Sequence, residues 1–207
     1  MNLAHTQIDA VLDALTQRVR LLSLSQVSRL IGSDEEVAER LVGELASAGI
    51  VSLEPHVVSE VGVAEAPLCS LHAGESVLDF GRVAYELRNR WTEQHEVDLI
   101  LPCAKACQQY GGTRVRPRAS EWSHDLWMSE VYLCSRGSLD ADTDWVSGDT
   151  LRSDGEAYLF SDRVPDACLR RSEGAITKVV EGGGASYGRK KLSQMARDFS
   201  SFAFEIW

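Results

Sequence analysis

The chain has 207 residues, 44% of them hydrophobic and 25% charged, and a formal net charge of -10. That length admits one large or two small domains with a buried core. The acidic balance weighs against a protein that coats nucleic acid, because phosphate contacts need clustered Lys and Arg, although a local basic face can coexist with an acidic remainder.

No apolar run approaches the roughly 18 residues of a membrane span, so no membrane partner is expected. The five cysteines, Cys69, Cys103, Cys107, Cys134 and Cys168, are an odd number without a regular framework. No charged-then-apolar leader is visible at the start. Free thiols in a reducing cytoplasm are the expectation. Cys103 and Cys107 have no second Cys or His pair nearby to complete a zinc tetrahedron.

Residues 5–50 read as three helices. IDAVLDALTQRV repeats apolar residues at spacings of three and four. SLSQVSRLIG makes a shorter helix, capped by Ser23 or Ser25 and stopped by Gly32. SDEEVAERLVGELASAGI opens on Ser33 with Glu36 three residues on, the pattern of a capping box, and closes at Gly49. Two β-rich runs follow, VSLEPHVV and PLCSLH. Three helices and then a hairpin is the order of a winged helix, a variant of the helix-turn-helix.

In the second half, GRVAYELRNRWTEQH suits a helix and VDLILPC a strand. GGTRVRPRAS is a loop carrying Arg114, Arg116 and Arg118. SEWSHDLWMSEVYLC reads as a largely buried helix. SLDADTDWVSGDTLRS, RVPDACLRR and AITKVVEG are strand candidates, SYGRKKLSQMARDFSSF is an amphipathic helix, and FAFEIW alternates as a strand does. From residue 120 onward the order is α-β-β-β-α-β, and the domain boundary is expected between residues 72 and 82.

Asp166 follows Pro165 at the head of one strand, and Glu181 ends its neighbour after a turn at Gly174. Mg²⁺ takes oxygen ligands, keeps several waters and needs only one or two protein acids. Such an ion polarises a scissile phosphate and activates water. Glu130, on the preceding helix, is a third candidate ligand, the alternative being a solvent-facing acid. The simpler readings of the other two are a Pro-Asp turn for Asp166 and an exposed strand end for Glu181; His124 reads first as a packing residue.

A phosphodiesterase of this kind carries a lysine two residues past its second acid, and that position is Gly183. Lys178 lies an odd number of residues before Glu181, so alternation sends it to the opposite face. Lys190 or Lys191 could reach back over the glycines. The expected catalytic set is therefore Asp166, Glu181 and Lys190. GGGAS lacks the Lys-Ser/Thr ending of a nucleotide-binding P-loop, so nucleotide hydrolysis is not expected.

The α-β-β-β-α-β order with these acids resembles the restriction-endonuclease-like nuclease core. The three N-terminal helices with PLCSLHAGE, then SHDLWMSEVYL, VPDACL and VVEGGGASYGRKKLSQMARDF, resemble the replication-relaxation family of plasmid and phage proteins. The resemblance covers most of the chain. It implies an α+β protein with a winged helix at 1–78 and a restriction-endonuclease-like domain at 79–207. It also implies DNA-associated work in plasmid, phage or mobile-element replication or maintenance, by a nuclease frame without its full chemistry.

Contact with DNA would come from Arg114, Arg116, Arg118, Arg170, Arg171, Arg189, Lys190 and Lys191. The third helix, opening with Asp34, Glu35, Glu36 and Glu39 against a single Arg40, is a poor major-groove reader. It suits a homodimer contact or a protein partner. The alternatives are a Mg²⁺-dependent endonuclease and a protein-interaction adaptor.

Overall fold

A computed structural model describes residues 3–59, 62–75, 79–91, 93–112, 115–160 and 163–207. The described residues mix α-helix with two β-sheets, and the chain divides into two compact units. One comprises Met1–Glu60 and Gln94–Leu133, the other Val61–Glu93 and Cys134–Trp207. A boundary between 72 and 82 is therefore corrected: the chain passes between units three times, and neither 1–78 nor 79–207 is a unit.

In the first unit, helix α1 (Leu3–Asp13) runs on into a π-helical turn at Ala14–Arg18. Strand β1 (Leu22–Ser23) leads directly into α2 (Leu24–Ile31). Ser23 caps α2 reciprocally with Gln26, which satisfies orphan amides at the helix start, and Gly32 closes it at φ 63°. Helix α3 (Glu35–Ser47) is capped by Asp34, whose carboxylate accepts from Val37 N at 2.9 Å. The expected Ser33–Glu36 box is thus displaced by one residue, and the Ser33 hydroxyl instead accepts from Gln7 at 3.0 Å.

Strand β2 (Val51–Ser59) was expected to turn back onto PLCSLH. Instead β3 (Cys69–Leu71) joins the other unit, and the partner of β2 is β4 (Gln94–Pro102). The two run antiparallel from Val51 opposite Pro102 to Ser59 opposite Gln94, and β1 pairs the far side of β4, giving the order β1-β4-β2. β4 prevails as partner because its Leu99, Ile100 and Leu101 are core residues, whereas β3 offers three residues of which none is fully buried.

Helix α5 (Ala104–Tyr110) follows β4. Most of α6 (Trp122–Arg136) also belongs to the first unit, where Leu126 and Trp122 pack with Leu21, Val58 and Leu99. Polar bonds fix α6 there: Ser129 Oγ donates to Leu21 O at 2.5 Å and Gln26 Nε2 to Leu126 O at 3.0 Å. This corrects the reading of α6 as the first helix of the α-β-β-β-α-β set.

In the second unit that position is taken by α4 (Gly81–Asn89), whose Val83, Ala84 and Leu87 enter the core. Strands β5 (Thr143–Ser147), β6 (Ala167–Arg171) and β7 (Ile176–Glu181) form an antiparallel meander, with a short helix α7 (Gly148–Ser153) after β5. Helix α8 (Arg189–Asp198) then crosses to β8 (Ala203–Ile206), which runs parallel to β7. The full order is β3-β8-β7-β6-β5. Val146, Cys168, Val179, Phe204 and Ile206 point from one sheet face into a core with Leu87, Leu192, Met195 and Phe199.

All five cysteines are free thiols. Burial pushes the Cys168 thiol up to about 12, so it stays protonated and unreactive. Among the described residues no helix is long and apolar enough to cross a membrane.

Candidate functional site

Two strand ends and the turn after β7 build the site. The β6–β7 register sets Ala167 opposite Val180, so the next pair outward is Asp166 and Glu181. Side chains alternate across a sheet, so both acids share the face of Cys168 and Val179, the face covered by α4 and α8. The short β6–β7 connection turns at Gly174, which holds φ 94°.

Asp166 is held at two atoms. Gly148 N donates to its main-chain oxygen at 2.8 Å, and Gly182 N donates to its Oδ2 at 3.0 Å. A Cβ at position 148 would stand 2.3 Å from Pro165 O, so glycine there lets the chain approach the acid closely. Glu181 is only 3% exposed, and its main-chain oxygen accepts from Trp207 N at 2.9 Å. The expectation of an exposed strand-end acid is corrected: Glu181 points inward. Arg90, following α4, donates to Gly183 O and Trp207 O at 2.6 Å each, and burial lowers its guanidinium to about 10.

A side chain at position 183 would force Leu87 to shift. A Cβ there would meet Leu87 Cδ2 at 2.5 Å and Cδ1 at 2.7 Å, and Leu87 is fully buried in the core. Lys178 lies on the opposite face as alternation predicts, with its Nζ 2.5 Å from Glu205 Oε1.

A different cation serves this corner. Lys191, on the first turn of α8, is half-buried, and its ammonium sits 3.2 Å from the centroid of the Tyr187 ring. Burial pulls the Lys191 pKa down and the Arg163 charge pulls it further, while Glu181 and Asp166 push it back up. Burial likewise raises the Tyr187 hydroxyl, with Asp166 and Glu181 adding to the effect and Arg163 opposing it. The charges of Asp166, Glu181, Arg163 and Lys191 therefore act within one neighbourhood around Tyr187. Arg163 is also paired with Asp198, 3.5 Å away. Lys190, the lysine expected to complete the set, is exposed, whereas Lys191 is half-buried.

The third expected ligand is Glu130. It lies in the first unit, buried, accepting from Gln26 Nε2 at 2.7 Å and paired with Arg29. The neighbouring buried Asp125 meets Arg20 at 3.3 Å and the His124 ring at 3.5 Å. A buried acid is tolerated only when paired, and the sequence could not show that α2 supplies the partner. Among the described residues no group of three or more His, Cys, Asp or Glu converges as a metal cage. Asp166 and Glu181 are two carboxylates on one face of neighbouring strand ends, and Mg²⁺ needs only one or two protein acids.

The basic residues proposed for DNA contact are largely committed within the protein. Arg116 pairs with Glu54 at 2.6 Å and, like Arg118, belongs to the first unit. In the second unit Arg170 pairs with Glu156 at 2.6 Å, Arg189 with Asp79 at 2.6 Å and Arg171 with Glu173 at 3.9 Å. Arg114 lies outside the described residues. The acids at the start of α3 (Glu35, Glu36 and Glu39) are exposed.

Sequence reasoning missed Tyr187 and Arg163. Tyr187 had one signal, an aromatic residue three past the end of the glycine run and four before Lys191. Arg163, three residues ahead of Asp166, had none. Comparisons with protein-family profiles, curated proteins and solved structures returned no match.

Proposed function

We propose that this is a DNA-associated accessory protein of plasmid, phage or mobile-element replication or maintenance, combining a winged helix with a restriction-endonuclease-like frame that holds a divalent cation. The observation that carries this reading is the placement of Asp166 and Glu181 side by side at the ends of β6 and β7. The meander β5-β6-β7, the crossover α8 and the parallel β8 support the nuclease-like frame. The succession α1-β1-α2-α3-β2-β4 with sheet order β1-β4-β2 supports the winged helix, with the segment between β2 and β4 as an excursion from its wing. The exposed acids of α3 favour a protein partner or a second copy at that helix over a DNA groove.

Asp166 and Glu181 would hold the cation. Bound there, Mg²⁺ supplies phosphate polarisation and an acidified water. Gly182 N fixes the Asp166 carboxylate, and burial keeps Glu181 from swinging into solvent. A second reading, a Mg²⁺-dependent endonuclease, is favoured by Lys191, an ammonium near both carboxylates that would face developing charge on phosphate.

The test is supercoiled plasmid with and without Mg²⁺ or Mn²⁺, beside Asp166→Ala and Glu181→Ala, with Mn²⁺ affinity measured by calorimetry. The accessory reading expects Mn²⁺ binding lost in both variants and a gel shift of intact plasmid at low salt. Metal-dependent nicking lost in both variants establishes the endonuclease instead. Intact plasmid with neither shift nor Mn²⁺ binding sinks both and points to a protein-interaction adaptor.

A further inference from the structure

Position 183 and position 187 lie on the same turn between β7 and α8, and they have opposite roles. The first is sealed by Leu87, so this chain carries no lysine two residues beyond its acid. The second carries an aromatic ring whose face receives the ammonium of Lys191 at 3.2 Å. An ammonium over a ring is attracted by the ring's quadrupole, most strongly where water is partly excluded. Lysine has four rotatable side-chain bonds, so without such a seat the Lys191 head group would spread over many rotamers.

The backbone of this turn is itself fixed. Tyr187 N donates to Gly184 O at 2.9 Å, Gly183 N donates to Trp207 O at 2.9 Å, and Gly182 N holds Asp166 at 3.0 Å. A Cβ at Gly184 would lie 3.5 Å from Tyr187 Cε1, an ordinary contact, so the ring rests on the glycine run. The same turn thus positions one acid through an amide and one cation through a ring.

We propose that Tyr187 is a positioning residue that seats the Lys191 ammonium beside the Asp166–Glu181 pair, in place of the lysine that Leu87 excludes at 183. This rests on the metal-centre reading above for its chemical meaning, but the seat is a geometric claim of its own. The ring, not the hydroxyl, does the seating, so Tyr187→Phe keeps it and Tyr187→Leu removes it. Tyr187→Met serves as a second ring-less variant should the leucine melt early.

Two readouts separate the claims. In proton-carbon NMR of the full chain, the ring current shifts the ε-methylene of Lys191 upfield, the signal being assigned by its loss in Lys191→Arg. The shift is expected in wild type and Tyr187→Phe and absent from both ring-less variants. Under the endonuclease reading, where the wild type nicks plasmid with Mn²⁺, Tyr187→Phe is expected to retain its rate. Tyr187→Leu and Lys191→Ala each fall about tenfold or more, and their double variant falls no further, since residues acting as a unit are non-additive. Mn²⁺ affinity falls in none of them, because losing a neighbouring positive charge favours a bound cation.

An unshifted Lys191 signal in wild type overturns the proposal, as does a ring-less variant that keeps the shift or, where the wild type nicks, that nicks at its rate. A wild-type protein that shows the shift but neither binds Mn²⁺ nor nicks overturns the metal-centre reading while the seat itself stands.

Discussion

At the scale of single residues, the absence of a lysine at 183 has a packing cause. Leu87 of α4 occupies the space that any side chain there would need. Gly183→Lys is therefore expected to lower stability by about 1–3 kcal/mol, the usual cost of forcing atoms into a filled core. It should not raise nicking; a urea titration beside the plasmid assay checks both. An unchanged midpoint with faster nicking would show that Leu87 yields easily. Glu130 carries the complementary expectation. Its pairing with Arg29, which is 39% exposed, is partly screened, so Glu130→Gln should cost about 1 kcal/mol. Mn²⁺ affinity should not move. Weakened metal binding in that variant would return Glu130 to the site.

At the scale of elements, β2 is the outer strand of its sheet, with Leu53 42% and Val57 62% exposed on one face. An open edge with apolar side chains invites pairing with another chain. The register sets Pro102 opposite Val51 and Pro55 opposite Asp98, four residues apart on each strand. Neither proline can donate, so these are the pairs whose main-chain groups point away from each other. The N–H that Pro55 lacks is thus one that would face outward from the edge, and the edge is blunted there. Pro55→Thr restores that donor. It is expected to self-associate in light scattering at concentrations where the wild type does not, and equal scattering from both would refute the idea.

The same strand shows how far the sequence could be read. The position of β2 followed from its β-rich run, as α2 followed from Ser23 and Gly32, because these signals are local. Its partner did not follow, because β4 lies beyond a whole excursion into the other unit and nothing local distinguishes it from β3. Asp166 and Glu181 could be placed together for the converse reason: one short turn joins their strands. Glu130, assigned to them by element order alone, is paired with Gln26 and Arg29 of α2, partners that element order does not reveal. Lys191 was one of two candidates, and only the ring at Tyr187 and the half-burial of its side chain separate it from Lys190.

At the scale of the whole chain, each unit is assembled from two separate runs, and this decides which fragments can fold. Residues 1–78 contain β1 and β2 but not β4, the central strand that pairs with both. They also lack Leu99, Leu101 and Leu126, three members of a core cluster whose other buried members are Leu21 and Val58. Cutting there leaves two strands without a partner and a helix layer without its floor, so fragment 1–78 is expected to give a collapsed amide spectrum in two-dimensional NMR. The register supplies the repair. Val58 and His95 face each other as a hydrogen-bonded pair of β2 and β4, so a two-residue Asn-Gly turn can replace residues 59–94. The joined chain of 1–58, Asn-Gly and 95–133 should give a dispersed spectrum and a cooperative thermal transition. A folded 1–78 would restore a boundary near residue 78, and a joined chain that stays unfolded would mean that the first unit needs the second to hold its shape.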